Sequence, residues 1–178
     1  MSALTVSELR VEEAAFVRAA QGGDRAAFGA LYEQYARMVH GILLAHVSYT
    51  DAEDLMQDVF VRAIEQLHSL RDPGAFGGWL AAIARRSATD LHRKRKPVQQ
   101  VRDWPGGARP DEEAFAILDA MQALPKAYRE TLILRLVEGM TGPEIAARTG
   151  LTPDSVRVNL CRGMRQLRDV LRGNLTDE

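Results

Sequence analysis

Hydrophobic residues recur at helical spacing along most of the chain. The clearest stripe runs through Leu55, Met56, Val59, Phe60, Ala63, Ile64 and Leu67. We place the start of this helix at Thr50, because Thr50 and Glu53 fit a capping box. Asp72-Pro73-Gly74 ends the pattern. A second helix follows from about Ala75, with an inward face made of Phe76, Trp79, Leu80, Ile83 and Ala84.

The same pattern predicts an all-α fold in two parts. We find no run of alternating β-branched or aromatic residues closed by a hairpin dipeptide. Residues 97–112 contain three of the seven prolines together with Gly106-Gly107, which is typical of a linker. We therefore expect two small helical domains joined by a flexible linker. Their predicted boundaries are residues 1–96 for the first domain, 97–112 for the linker and 113–178 for the second domain.

Residues 141–172 have the pattern of a helix-turn-helix. Thr141 and Glu144 fit a capping box, and Gly150 stands where a helix commonly ends in a left-handed residue. Thr152 then caps a helix that begins at Pro153. One side of this helix carries Val156, Leu160, Met164, Leu167 and Leu171, and the other carries Arg157, Cys161, Arg165, Arg168 and Arg172. A row of arginines on one face favours DNA reading in the major groove, and a merely solvated face is the alternative.

Composition excludes several classes of protein. A net charge of -1, with 46% hydrophobic and 26% charged residues, indicates a globular chain. The single cysteine, Cys161, excludes an internal disulfide, and the four histidines lack zinc-ligand spacing. The longest stretch without Asp, Glu, Lys or Arg, residues 38–50, is shorter than the roughly 20 residues that span a bilayer. We expect a cytoplasmic protein without stable membrane insertion, metal or cofactor.

Charge is concentrated in two basic segments despite the near-neutral total. Residues 85–102 hold seven basic residues and one acidic residue, and residues 157–172 hold five and one. Basic segments this far apart predict two contacts with an anionic partner, although solvated faces balanced by acids would give the same count.

Three segments resemble bacterial RNA polymerase sigma factors of the extracytoplasmic-function (ECF) type. They are DAEDLMQDVFVRAIEQL (51–67), FGGWLAAIARRSATDLHRKRK (76–96) and LPKAYRETLILRLVEGMTGPEIAARTGLTPDSVRVNLCRGMRQLRDVL (124–171). The resemblance implies a factor that binds core RNA polymerase, recognises −10 and −35 promoter elements and initiates transcription of a specific, stress-response gene set. It implies no enzymatic activity and no catalytic residues.

The resemblance also assigns roles to individual residues. Polymerase binding, on the clamp helices of the largest subunit, falls to Asp54, Gln57 and Asp58, and the second domain would bind the flap. Reading and melting of the −10 element falls to Leu70, Arg71, Asp72, Ile83, Arg86, Arg93, Lys94 and Arg95, and Arg85 is a further candidate for a phosphate contact. Reading of the −35 element falls to Arg157, Val158, Asn159, Cys161, Arg162 and Arg165.

The sequence departs from the family pattern at two places, and two further residues have a simpler interpretation. Gly142-Pro143 stands where an aromatic residue commonly precedes Glu-Ile-Ala, and Asn159 occupies a place usually held by arginine. We interpret Trp79 as a core residue, because it lies on the apolar stripe, and Cys161 as an inert small residue.

Other functions fit parts of the sequence. A stand-alone helix-turn-helix regulator with a helical sensing or dimerising domain accounts for residues 141–172 equally well, but leaves the 51–96 pattern unused. A nucleic-acid enzyme has little support, because we find no phosphate loop, nucleophile elbow or metal-ligand cluster. The resemblance implies one more partner, an anti-sigma factor that would hold the protein inactive.

Overall fold

Helices make up all the regular secondary structure that the structure describes. The computed structural model describes residues 6–94, 117 and 120–174 of the 178-residue chain. Its helices are α1 (Val6–Gln21), α2 (Arg25–Leu44), α3 (Tyr49–Gln66), α4 (Phe76–Lys94), α5 (Lys126–Leu136), α6 (Gly142–Thr149) and α7 (Pro153–Asn174). Short 3-10 turns at Leu67–Ser69 and Pro73–Ala75 connect α3 to α4. The predicted all-α fold is confirmed.

Side-chain caps set the starts of α2 and α3, and one cap differs from the prediction. Asp24 accepts hydrogen bonds from the backbone N–H groups of Ala26 and Ala27 at 2.8 and 3.1 Å. The hydroxyl of Ser48 accepts one from the Asp51 N–H at 3.3 Å, so α3 begins one residue after Ser48. The placement of the cap at Thr50 was wrong, because the extended backbone that an N-cap needs is found at Ser48 (φ -64°, ψ 163°).

The first four helices pack around a common core. Tyr35 of α2 and Phe76 of α4 are fully buried and meet edge to face, with ring centroids 5.1 Å apart. Trp79 is half-buried and packs on Phe76 and this core, in agreement with its reading as a core residue. The prediction for Ile64 was wrong: it is 47% exposed, because it lies about 100° from the middle of the buried stripe of α3.

The predicted helix-turn-helix is present in α6 and α7. The N–H of Thr141 donates to Glu144 Oε2 at 2.7 Å, and the N–H of Glu144 donates to Thr141 Oγ1 at 3.3 Å, which completes the capping box. The hydrogen bond from the Thr141 backbone lowers the pKa of Glu144. Gly150 ends α6 with φ 76°, and the Ser155 N–H donates to Thr152 Oγ1 at 3.1 Å at the start of α7.

The N-terminal and C-terminal helices share one core. Leu134 of α5, Ile145 of α6 and Met140 between these helices belong to the same buried cluster as Tyr35 and Phe76. A second cluster holds the C-terminal helices together, through Ala120, Met121, Leu124, Leu132, Ile133 and Leu167, and also includes Ala45 from the end of α2. The packing between the two halves of the chain therefore fixes α4 against α6.

Candidate functional site

The outward face of α7 is the most exposed basic surface of the C-terminal half. Val156 and Leu167 turn into the core, with 1% and 4% of their surface exposed. The opposite face consists of exposed side chains, namely Arg157, Val158, Cys161, Arg162, Arg165 and Arg168. The helix has 22 residues, or about 33 Å, and a helix of this width fits the major groove of B-DNA. Exposed arginines on a helix of this width can reach the base edges and phosphates of duplex DNA.

Asn159 lies away from that face. It is half-buried, and its amide nitrogen donates to Thr131 Oγ1 of α5 at 3.4 Å. Among the −35 candidates on α7, it is the residue that the structure turns inward. Asp154, in the first turn of the helix, pairs with Arg157 at 3.3 Å, and both side chains are largely exposed. This pair is an ordinary surface contact one turn apart.

A groove of about 880 Å³ lies between α6 and α7. Its lining is mainly apolar and includes Ala146, Leu151, Val156, Leu160 and Met164, with Arg157 and Arg168 beside them. Gly142 and Pro143, which form one of the two departures from the family pattern, are part of its wall. A Cβ atom on Gly142 would lie 3.9 Å from Val156 Cγ1, at ordinary van der Waals distance.

The loop expected to read the −10 element is fixed by α1. Gln21 Nε2 donates to the carbonyl oxygens of Leu67 at 3.0 Å and Leu70 at 2.8 Å. Leu70 is half-buried against the core, whereas Arg71 and Asp72 are exposed. The Asp72 carboxylate accepts from the Gly74 N–H at 2.9 Å, so it caps the turn before α4 while remaining at the surface.

The basic side chains of α4 divide between surface and interior. Arg86, Arg93 and Lys94 are exposed, and Arg93 pairs with Asp90 at 3.3 Å. Ile83 is half-buried against the core, and Arg95 lies outside the described residues. The structure therefore presents Arg71 and Asp72 on the loop and Arg86, Arg93 and Lys94 on the helix.

Arg85 is engaged inside the molecule instead. Its Nη2 and Nε atoms donate to the two carboxylate oxygens of Glu130 in α5, at 2.5 and 3.0 Å. His46 Nε2 lies 3.3 Å from the same carboxylate. Burial alone would raise the pKa of Glu130, but the hydrogen bonds from His46 and Arg85 outweigh burial and the pKa lies below its ordinary value. In this structure the guanidinium of Arg85 is therefore paired with Glu130.

The expected polymerase-binding residues share one surface of α3. Asp54, Gln57 and Asp58 are exposed, while Leu55 and Val59 beside them are buried. A group of exposed apolar side chains on α2 and α3 was not predicted from the sequence: Tyr32, Val61 and Ile64 have 42%, 54% and 47% of their surfaces exposed. The sequence feature that could have revealed this group is Val61, a hydrophobic residue that lies outside the buried stripe of α3.

The described residues contain neither a membrane-spanning helix nor a group of three or more His, Cys, Asp or Glu side chains suited to a metal ion.

Family comparisons match the two halves of the chain separately. Residues 31–98 match Sigma-70 region 2, and residues 114–167 match Sigma-70, region 4. The first match contains most of α2 and all of α3 and α4, and the second contains α5, α6 and most of α7. The candidate residues on α3, on α4 and in the loop before it, and on α7 up to Arg165 lie inside these matches.

Individual relatives agree over most of the chain. RNA polymerase sigma factor CarQ of Myxococcus xanthus is 32% identical over 159 residues, which cover 84% of this chain and 91% of CarQ. ECF RNA polymerase sigma factor SigD of Mycobacterium tuberculosis (strain ATCC 25618 / H37Rv) is 31% identical over 173 residues, which cover 87% of this chain and 82% of SigD. The solved structure of CnrH in complex with the cytosolic domain of CnrY superposes with a TM-score of 0.63 at 26% identity, covering 90% of this chain and 97% of that one.

Proposed function

This chain belongs to the sigma-70 family, among the ECF RNA polymerase sigma factors, and from that premise we propose which of its surfaces carries each step of transcription initiation. A sigma factor binds core RNA polymerase, recognises the −10 and −35 promoter elements and starts transcription. The observation that carries the residue assignment is the separation of an acidic surface on α3 from basic surfaces on α4 and α7.

The outward face of α7 reads the −35 element. Arg162 and Arg165 lie on the exposed side of a capped helix, where guanidinium groups can bond guanine edges or phosphates. Arg157, Val158 and Cys161 complete the contact surface. Asn159 supports this face from behind, through its hydrogen bond to Thr131.

The loop before α4 and the exposed side of that helix hold the non-template strand at the −10 element. Arg86, Arg93 and Lys94 are placed to neutralise phosphates, and Leu70, Arg71 and Asp72 lie at the preceding loop. Flipping a base out of the duplex costs a few kcal/mol, which phosphate contacts and capture of the unpaired base must offset. Ile83 packs beneath this surface, and Arg95 continues the basic run along the sequence.

The acidic surface of α3 docks on the polymerase. Asp54, Gln57 and Asp58 present polar groups on a helix whose other side is anchored in the core, so the contact is rigid when the partner arrives. The clamp helices of the largest subunit are the partner on this side, and the second domain binds the flap. We propose the same domain boundaries as the sequence predicts, residues 1–96 and 113–178, with residues 97–112 as the linker.

An anti-sigma factor is a further proposed partner. CnrH, which this chain resembles over nearly its full length, was solved with the cytosolic domain of CnrY bound. The groove between α6 and α7 and the exposed side chains of Tyr32, Val61 and Ile64 offer apolar surface to such an inhibitor. We also propose that the protein acts in the cytoplasm, without enzymatic activity of its own.

A stand-alone regulator explains the molecule less well. It would use the helix-turn-helix but leave the match of residues 31–98 to Sigma-70 region 2 without a role. It would also bind duplex DNA specifically without polymerase, commonly as a dimer on spaced half-sites.

The decisive experiment combines a pull-down on bacterial core RNA polymerase with run-off transcription from pooled promoter fragments. We expect the wild-type chain to bind core and to start transcripts at defined sites, whose shared upstream sequences identify the −10 and −35 elements. Specific duplex binding without any core binding would favour the stand-alone regulator.

Charge reversal then tests the assigned surface of α3. Asp54→Arg with Asp58→Arg should abolish core binding, because it inverts the docking charge. Glu12→Arg with Glu33→Arg changes the net charge equally on exposed positions of α1 and α2 and should leave binding intact. Equal binding by both double variants would refute the assignment while leaving the family unaffected.

A further inference from the structure

Helix α1 precedes both family matches, and no step of the proposed function uses it. Its last residue, Gln21, nevertheless holds the loop that lies before α4. We propose that Gln21 is a positioning residue for −10 recognition, which keeps Leu70, Arg71 and Asp72 in the shape that captures an unpaired non-template base. The proposal rests on the proposed function and adds to it a residue that acts through the loop without touching DNA.

Both N–H groups of the Gln21 amide are used in this contact. Nε2 donates to the carbonyl oxygen of Leu67 at 3.0 Å and to that of Leu70 at 2.8 Å. An amide nitrogen carries two N–H groups, whereas a carbonyl oxygen can only accept. The side chain therefore has one orientation that satisfies both carbonyls, and that orientation links the first residue of a 3-10 turn to the residue that follows the turn.

The middle of the loop needs this support because it has left helical geometry. Leu70 has extended backbone (φ -73°, ψ 110°), so its partly buried carbonyl needs a hydrogen-bond donor from outside the turn. At the other end, the Asp72 carboxylate accepts from the Gly74 N–H at 2.9 Å and fixes the next turn. Gln21 and Asp72 thus hold the two ends of the loop, and Arg71 lies exposed between them.

Gln21 is itself held in place by the turn between α1 and α2. The N–H of Gly23 donates to the carbonyl of Ala20, and the N–H of Asp24 donates to the carbonyl of Ala19, both at 3.0 Å, which is the pattern of a Schellman C-cap. Gly23 has a φ of 94°, a conformation that glycine adopts without strain. Asp24 is also the N-cap of α2. The backbone of Gln21 is therefore fixed between two helix ends.

The rest of α1 anchors this support in the core. Val17, one turn before Gln21, is fully buried and lies on the same face of the helix. The helix also packs on both 3-10 turns that flank the loop, Leu67–Ser69 and Pro73–Ala75. The loop is thus held by a helix that is part of the core, and its shape is set before DNA arrives.

A loop that is already ordered captures a base more tightly. Flipping a base out of the duplex costs free energy that its capture must offset. A loop that became ordered only at that moment would add the entropy of its own backbone to the cost. Loss of the two hydrogen bonds from Gln21 lowers the fraction of chains with an ordered loop, and the apparent affinity for the captured base falls in proportion, by about tenfold.

Two substitutions of Gln21 remove its donors in different ways. Gln21→Met keeps a side chain of similar length that has no N–H group, and Gln21→Glu turns carboxylate oxygens toward the two carbonyls. Gln66→Met and Gln66→Glu are the matched controls, because Gln66 is exposed at the end of α3 and next to Leu67 in the sequence. The same changes of side chain and charge are thus compared at a supporting position and at a surface position beside the same loop.

Hydrogen exchange in the full chain, read by mass spectrometry, measures whether Gln21 fixes the loop. We expect peptides that cover residues 67–75 to exchange about tenfold faster in both Gln21 variants, because fewer chains keep the loop ordered. Peptides from α7 should exchange as in the wild type, and both Gln66 variants should match the wild type throughout. Unchanged exchange of the loop in the Gln21 variants, or faster exchange along the whole chain, would overturn the positioning role.

Binding of a single-stranded −10 oligonucleotide measures the consequence for recognition. Holoenzyme is assembled from core polymerase and the full chain, and the labelled non-template strand carries the −10 sequence found by run-off transcription. An abasic site moved through that sequence identifies the base whose loss weakens wild-type binding most. Both Gln21 variants should bind the intact strand about tenfold more weakly than the wild type, and should bind the strand that lacks this base as well as the wild type does.

The abasic strand separates positioning from general stability. A chain that is only less folded would bind both strands more weakly, so equal losses on the intact and abasic strands would overturn the proposal. Both Gln66 variants should bind the two strands as the wild type does. A wild-type holoenzyme for which no base of the −10 sequence matters would instead overturn the proposed function of the loop, and hydrogen exchange would still show whether Gln21 holds it.

Discussion

The two basic helices of this chain, α4 and α7, look alike in sequence and differ in what surrounds their arginines. On α7, Arg157, Arg162 and Arg165 all reach the surface. On α4, Arg86 is exposed, but its neighbour Arg85 is bound by a buried glutamate from the other half of the chain. A run of basic residues therefore indicates a charged helix, and the residues packed against that helix decide which charges are available to DNA.

The difference arises from position in the fold. One face of α7 packs on α5 and its other face meets solvent, so helical periodicity alone separates core from surface. The helix α4 contacts α2 and α3 within its own half and α6 across the interface. Its side chains consequently meet partners from distant parts of the sequence, and periodicity cannot identify those partners.

The largest expected effect comes from the core side of α4. Phe76→Ala should lower the free energy of unfolding by about 3–5 kcal/mol, because the ring is fully buried against Tyr35 and its loss leaves a cavity. Leu160→Ala on α7 should cost less, since Leu160 is only half-buried at the groove. Urea unfolding followed by circular dichroism measures both, and equal losses would contradict the difference in packing.

Double-mutant cycles sharpen the comparison between the two helices. The cycle for Arg85 and Glu130 should give a coupling energy of about 1.5–3 kcal/mol, as expected for a hydrogen bond to a charged group that is largely shielded from water. The cycle for Arg157 and Asp154 should give no measurable coupling, because both side chains are exposed. Similar values for the two pairs would show that tertiary packing does not distinguish them.

Acidification should weaken the interface around α4. Because the pKa of Glu130 is lowered by its partners, its contribution to stability is complete above the ordinary glutamate value of about 4.3. That contribution is lost as the pH falls through the lower pKa of the folded state. Unfolding measured across this range should show a steeper loss for the wild type than for Glu130→Gln, and parallel curves would contradict the role of this carboxylate.

A smaller effect separates neighbouring residues on α7. Arg162→Ala should weaken binding to a −35 duplex by about 1–3 kcal/mol if the guanidinium reads a base. Asn159→Ala should have much less effect, because its amide faces Thr131. Titration of labelled duplexes measures both variants. An equal loss with Arg162→Ala across all −35 sequences would make Arg162 a phosphate contact, and a large loss with Asn159→Ala would mean that Asn159 turns outward on binding.

Much of the fold was predictable because its determinants are local. The cap at Thr141, the left-handed Gly150 and the cap at Thr152 are contacts between residues a few positions apart, and all were predicted correctly. Two local predictions were wrong, the cap of α3 and the burial of Ile64. Ser48 competed with Thr50 as a cap, and Ile64 lay at the edge of its stripe. The roles of the candidate DNA-binding and polymerase-binding residues remain predictions that the experiments above address.

Local sequence determined the helices, the helix-turn-helix and the exposed arginine face of α7, because hydrogen bonding and periodicity act over one or two turns. Only the tertiary structure decided that Arg85 pairs with Glu130, that Asn159 faces Thr131 and that the two halves share a core. The Asn159–Thr131 pair joins residues 28 positions apart, and the Arg85–Glu130 pair joins residues 45 positions apart. The energy of such contacts depends on burial that exists only after the chain has folded.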